Sequence, residues 1–90
     1  MIEYDPDKDA ANRVKHGVPL AFGARVFEDE RHLILASFRS IDGEDRYKAI
    51  GLIDGRLWTA IFVERGPAIR LISVRRSNAG EQGSYDRHPG

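Results

Sequence analysis

Arg46-Tyr47-Lys48-Ala49-Ile50-Gly51-Leu52-Ile53-Asp54-Gly55-Arg56-Leu57-Trp58-Thr59-Ala60-Ile61-Phe62-Val63-Glu64-Arg65 reads as two β-strands joined by a tight turn. Asp-Gly between apolar runs is the pattern of a two-residue type I′ hairpin, whose loop length fixes the register of the strands it joins. Ile53 should therefore face Arg56, Gly51 face Trp58, Ala49 face Ala60 and Tyr47 face Phe62. One sheet face then carries Tyr47, Trp58, Phe62 and Glu64. The other carries Arg46, Lys48, Ile50, Leu52, Leu57, Thr59, Ile61, Val63 and Arg65, apolar at one end and basic at the other.

Outward from this hairpin, Gly66-Pro67 should close a second one onto a strand at Ala68 to Arg75. With Arg65 opposite Ala68, Arg70 joins Arg46, Lys48 and Arg65 on the basic end. Arg75 then falls on the aromatic face opposite Trp58, and Arg76 on the other. His32 to Phe38 supplies a further strand, with a turn at Asp42-Gly43-Glu44. Towards the N-terminus, Met1 to Tyr4 is a short strand. Asp5 caps a helix that Pro6 opens and Gly17 stops. Pro19 opens a second helix, in which Leu20, Ala24 and Phe27 share a face. Behind the last strand, Asn78 and Glu81 resemble a capping box, but Gly80 and Gly83 weaken the helix it would begin. The expectation is one α+β domain over residues 1–90: two N-terminal helices packed on a mainly antiparallel sheet, in the order β-α-α-β-β-β-β-α, with residues 77–90 as a marginal terminal helix and tail.

Ninety residues leave no room for a second domain, and a composition that is 41% apolar and 31% charged excludes a disordered chain. There is no cysteine, and the three histidines are scattered, so thiol chemistry is excluded and no metal or other cofactor is expected. No apolar run approaches a membrane span, and the N-terminus lacks a signal-peptide pattern, so the default expectation is a cytoplasmic protein. The 14 basic and 14 acidic residues cancel, yet the acids gather in the first half and the bases in the second. Arginine dominates those bases, and its planar fork suits phosphate. A guanidinium cluster on a rigid sheet can hold a phosphodiester and stabilise charge developing at phosphorus; it can equally be the solvated end of a strand.

Several segments, in order, carry a resemblance: Tyr4-Asp5-Pro6-Asp7-Lys8, Asn12 with Lys15-His16-Gly17-Val18, Ala24 with Val26-Phe27-Glu28-Asp29, Gly43-Glu44-Asp45-Arg46-Tyr47, Ala49-Ile50-Gly51, Glu64-Arg65 and Ile69 to Arg76, with Glu81 and Tyr85 behind. The chain resembles the BrnT-type toxins of type II toxin–antitoxin systems. The resemblance implies a RelE-like fold and a metal-independent endoribonuclease that inhibits translation. It also implies neutralisation by a BrnA-type ribbon-helix-helix antitoxin, in a 2:2 complex that reaches operator DNA only through the antitoxin. Carried over to this sequence, the catalytic candidates are Arg65, Arg70, Arg76 and Tyr85. His16 is added on chemical grounds, because its ordinary pKa lies near neutrality, and Glu64 is a further proton-transfer candidate. Lys15, Arg46, Lys48 and Arg75 are the candidate RNA contacts. Two rival readings stand beside this one. In the first the chain is a catalytically weakened relative that serves as an antitoxin-binding co-repressor. In the second it is a small RNA-binding sheet protein that uses Tyr47 and Trp58 as stacking platforms.

Overall fold

The computed structural model describes residues 1–41 and 44–89, and the turn expected at Asp42-Gly43 lies outside them. Strand β1 (Ile2–Tyr4) leads into helix α1 (Pro6–His16) and a 3₁₀ segment (Leu20–Glu28). Strands β2 (Leu33–Ile41), β3 (Glu44–Ile53), β4 (Arg56–Arg65) and β5 (Ala68–Arg76) follow, and helix α2 (Ala79–Arg87) ends the chain. The strands form one mixed sheet in the order β1-β5-β4-β3-β2. Only β1 runs parallel to its neighbour, pairing Ile2 with Ile69 and Tyr4 with Leu71.

This corrects the expected pair of N-terminal helices on a mainly antiparallel sheet. Of the two N-terminal segments only Pro6–His16 is α-helical, capped by the Asp5 side chain at one end and by Gly17 at φ 78° at the other. The next segment is a 3₁₀ helix whose buried residues are Leu20, Gly23 and Val26. Their spacing is the three-residue period of a 3₁₀ turn, not the four-then-three spacing of an α-helix. Gly23 permits the close approach, since a Cβ there would lie 2.5 Å from Val74 Cγ2. The first amide of the segment, Leu20 N, donates to Asp9 Oδ1 at 2.8 Å, which ties it to α1.

The β3–β4 hairpin has the expected register, Ile53↔Arg56 through Tyr47↔Phe62. Asp54 and Gly55 have φ of 49° and 83°, as a type I′ turn requires. The second hairpin starts as expected, with Arg65↔Ala68 and Val63↔Arg70. A bulge then intervenes, and Ile61 pairs with Ser73 and Thr59 with Arg75. The extra residue exchanges the faces of the two arginines that follow. Arg76, not Arg75, stands opposite Trp58 and lays its guanidinium 5.7 Å from the indole centre.

The aromatic face is the core face. Leu20 and Val26 pack there on Ala49, Ile53, Ala60, Phe62, Leu71 and Val74, with Trp58 and Tyr47 partly buried around them. Trp58 meets Phe22 edge-on at 4.9 Å, and Tyr47 stacks on Phe62 at 5.7 Å. These contacts make the two rings packing elements and weigh against their use as stacking platforms. Gly51 makes room for the Val26 carbonyl, to which an added Cβ would come within 2.6 Å. Asn12, on α1 and 5% exposed, takes the place of a pairing strand beyond the end of β1. Its amide donates to Val74 O and accepts from Val74 N, at 2.9 and 3.0 Å, and donates to Val18 O at 2.9 Å.

Candidate nucleic-acid interface

Side chains alternate across a strand, so each residue that follows a core-facing one points to the other side of the sheet. Asp45-Arg46, Glu64-Arg65 and Ile69-Arg70 straddle the sheet in this way, and the three arginines emerge together on the face away from the core. Val63 pairs with Arg70, and Arg46 follows one place from Tyr47↔Phe62, so Arg46, Val63 and Arg70 form one row across three strands. Arg65 ends β4 in the next row, opposite Ala68, and is exposed. Arg70 is half-buried and meets Glu3 of β1 at 3.7 Å. Of the expected cluster of Arg46, Lys48, Arg65 and Arg70, the three arginines thus share one end of this face.

Lys48 and Arg75 lie on the same face but are spoken for. The capping box of α2 is present: Asn78 Oδ1 accepts from Glu81 N at 2.8 Å, and Glu81 Oε1 accepts from Asn78 N at 3.0 Å. The Glu81 carboxylate, only 2% exposed, also receives the Arg75 fork at 2.7 Å to each oxygen, Lys48 Nζ at 3.2 Å and the Thr59 hydroxyl at 2.9 Å. Because the Thr59 proton goes to Glu81, Ser77 donates to Thr59 across their 2.8 Å contact. Burial alone would push the Glu81 carboxyl up, but hydrogen bonds from Arg75, Asn78 and Thr59 and the Arg75 charge outweigh it and hold it at about 2. The same contact raises the Arg75 guanidinium above its ordinary value.

The remaining candidates do not join the cluster. Arg76 lies over Trp58 on the core side. Tyr85, buried in α2, donates to Asp29 Oδ2 at 2.6 Å. Asp29 also accepts from Leu52 N at 2.8 Å and Arg31 N at 3.0 Å. Its burial would raise its pKa, but the bonds from Tyr85, Leu52 and Arg31 lower it. Burial and Asp29 raise that of Tyr85, which holds its proton at neutral pH. Glu64 shares the core face with Phe62, behind the cluster. His16 and Lys15 close α1. Burial, Lys15 and Arg75 in turn depress His16, so the neutral ring prevails at pH 7. Sequence reasoning gave Asn12 and Asp29 no role and saw Glu81 only as a cap. A polar Asn within a helix, where its side chain ordinarily competes with the backbone, was the available signal for Asn12.

The described residues contain no group of three His, Asp or Glu able to hold a metal. No helix among them is long and apolar enough to cross a membrane.

A model of the family described as "Ribonuclease toxin, BrnT, of type II toxin-antitoxin system" matches residues 4–81. The chain belongs to the BrnT family. Its members are ribonuclease toxins, so the family implies RNA as target and an antitoxin as partner. The search of curated proteins finds no match. The BrnT match takes in Arg46, Arg65, Arg70 and the Glu81 hub, and it ends before Tyr85.

Proposed function

We propose that this chain is a metal-independent, RelE-like endoribonuclease that cuts RNA and so inhibits translation in the cytoplasm. In this reading its antitoxin is a BrnA-type ribbon-helix-helix protein, and the two form a 2:2 complex that reaches operator DNA only through the antitoxin. The observation that carries the catalytic part is the gathering of Arg46, Arg65 and Arg70 from three adjacent strands, on the sheet face away from the core. These guanidinium groups hold the scissile phosphate and stabilise the charge that develops at phosphorus. The nucleophile is the substrate's own 2′-hydroxyl. Its oxygen bonds to phosphorus as the bond to the 5′-oxygen breaks, leaving a 2′,3′-cyclic phosphate. One proton leaves the 2′-oxygen and one reaches the departing 5′-oxygen. Lys48 and Arg75, held by Glu81, form the ordered floor beyond the phosphate. Arg76 and Tyr85 act through packing in this reading.

A second reading draws on the pairing of Lys48 and Arg75 with Glu81, which engages both side chains and cancels one of their two charges: a catalytically weakened relative retained as an antitoxin-binding co-repressor. Cleavage of a defined RNA in EDTA separates the two. Wild type should cut, whereas Arg65→Ala and Arg70→Ala variants, shown by circular dichroism to be folded, should lose most activity. An inactive wild type that still binds its antitoxin would overturn the nuclease reading in favour of the co-repressor. Full activity in both variants would remove the cluster from the site.

A further inference from the structure

Beyond the basic face, a groove runs between α1 and the outer edge of β5. Lys8, Asn12, Lys15 and His16 line it from the helix, and Ile72 and Ser73 from the strand. It exists because β1 pairs with β5 only as far as Leu71, and because the bulge follows immediately at Ile72. Its floor is rigid: Asn12 is fixed by the three backbone contacts that replace a strand, and it accepts a long, 3.4 Å bond from the Ser73 hydroxyl. Three of the side chains lining it are basic and none is acidic.

The negative end of a helix is reason enough for Lys15 and His16, but not for Lys8. Lys8 lies in the first turn of α1, at the positive end, where Asp7 and Asp9 are the favourable choices. Neither Lys8 nor Lys15 forms a salt bridge with a described residue. Two turns apart on one helix face, they stand roughly 10 Å from each other along the axis. The groove also continues the basic face, since Arg70 precedes Ile72 by two residues on β5 and the Arg75 charge is felt at His16.

We infer that this groove is a second phosphate subsite, in which Lys8 and Lys15 take backbone phosphates of the same RNA strand whose scissile phosphate lies on the basic face. The inference rests on the ribonuclease reading of that face. It assigns the groove to strand positioning, away from the reacting atoms.

The test uses fluorescence anisotropy with single-stranded RNA that is 2′-O-methylated throughout, and therefore uncleavable, as a 12-mer and as a trimer. Losing two phosphate contacts from the Lys8→Ala/Lys15→Ala double variant should flatten the slope of log affinity against log salt by about 1.4, or about 25-fold in affinity at 0.1 M salt, for the 12-mer. Trimer binding, confined to the basic face, should change less than about twofold by the same reasoning. In parallel, saturating 12-mer should raise the midpoint of the His16 ring titration followed by NMR, because a neighbouring phosphate favours the charged ring. An unchanged 12-mer affinity, an equal loss for both lengths, or an unmoved His16 midpoint would overturn the subsite. An Arg46→Ala/Arg70→Ala variant reports separately on the parent reading. It should weaken both oligonucleotides, and unchanged binding of both would overturn the basic face while leaving the groove result to stand by itself.

Discussion

Replacing Glu81 with Gln tests the polar hub that seats α2 on the sheet. The carboxylate accepts five hydrogen bonds, from Arg75 twice, Lys48, Thr59 and the Asn78 amide. A neutral amide keeps the shape but loses the single negative charge that Arg75 and Lys48 share. The fall of the Glu81 pKa from its ordinary 4.5 to about 2 corresponds to about 3 kcal/mol at 1.36 kcal/mol per unit. Breaking a buried ion pair by removing one partner falls in the same range. For a domain this size, 3 kcal/mol lowers Tm by roughly 12 to 24 °C. Urea unfolding followed by the fluorescence of Trp58, the single tryptophan, gives the free energy directly. The pH dependence supplies a second reading. A carboxyl whose folded pKa is depressed contributes its full stability above the unfolded value and loses it as pH falls through the folded one. The advantage of wild type over Glu81→Gln should therefore be complete above about pH 5, shrink below 4.5 and vanish near 2. A loss under about 0.5 kcal/mol at pH 7, the size of an ordinary surface substitution, would refute the hub, as would an advantage that persists unchanged at pH 2.

Asn12→Ala should cost at least about 2 kcal/mol, since it leaves the Val74 amide and carbonyl buried without partners; urea unfolding measures it, and a loss near zero would show that water replaces the side chain. Gly51→Ala should destabilise by about 1–3 kcal/mol, because its methyl would come within 2.6 Å of the Val26 carbonyl oxygen, a backbone atom that cannot turn aside, again read as the unfolding midpoint. Tyr85→Phe should cost about 1–2 kcal/mol through its bond to Asp29. Amide exchange in α2 should quicken, and the Asp29 carboxyl, followed by NMR, should move up towards its ordinary range. Cleavage should keep pace with the folded fraction, whereas a far larger loss would return Tyr85 to the chemistry.

What the sequence made legible was local. Asp54-Gly55 specifies a turn that only one register satisfies, and every pair of the β3–β4 hairpin follows from it. The bulge after Leu71 was not legible, because Leu71-Ile72-Ser73 contains neither glycine nor proline. It goes with a distant contact, the grip of Asn12 on Val74, 62 residues away. Arg75 and Arg76 exchanged faces as a direct result. The 3₁₀ segment is an intermediate case. The three-residue spacing of Leu20, Gly23 and Val26 is written in the sequence, but so is an α-helical spacing through Ala24 and Phe27. What favours the former is how closely Gly23 lets the backbone approach Val74. At the candidate site, Arg46, Arg65 and Arg70 followed from alternation and from the registers that the two turns set. The hub at Glu81 did not, since it combines a local capping box with partners 33, 22 and 6 residues away.

The neutral net charge of the chain is compatible with an anion-binding face because the sheet sorts its charges. Asp45 and Glu64 point to the core side at the same end where Arg46, Arg65 and Arg70 point away from it. A sheet with its side chains is about 10 Å thick, close to one Debye length at 0.1 M salt, so the rear acids are largely screened from a phosphate at the front. Two acids lie at the front: Glu81, already engaged by Lys48 and Arg75, and Glu3, which reaches Arg70 at 3.7 Å from the neighbouring strand, with both side chains partly exposed. Two neutralising substitutions of equal charge should then differ by position. Glu64→Gln should leave the affinity for uncleavable RNA nearly unchanged. Glu3→Gln should raise it by up to about fivefold, the equivalent of the 0–1 kcal/mol that such a pair is worth. Equal increases from the two variants would mean that net charge, not its division between the faces, governs RNA binding.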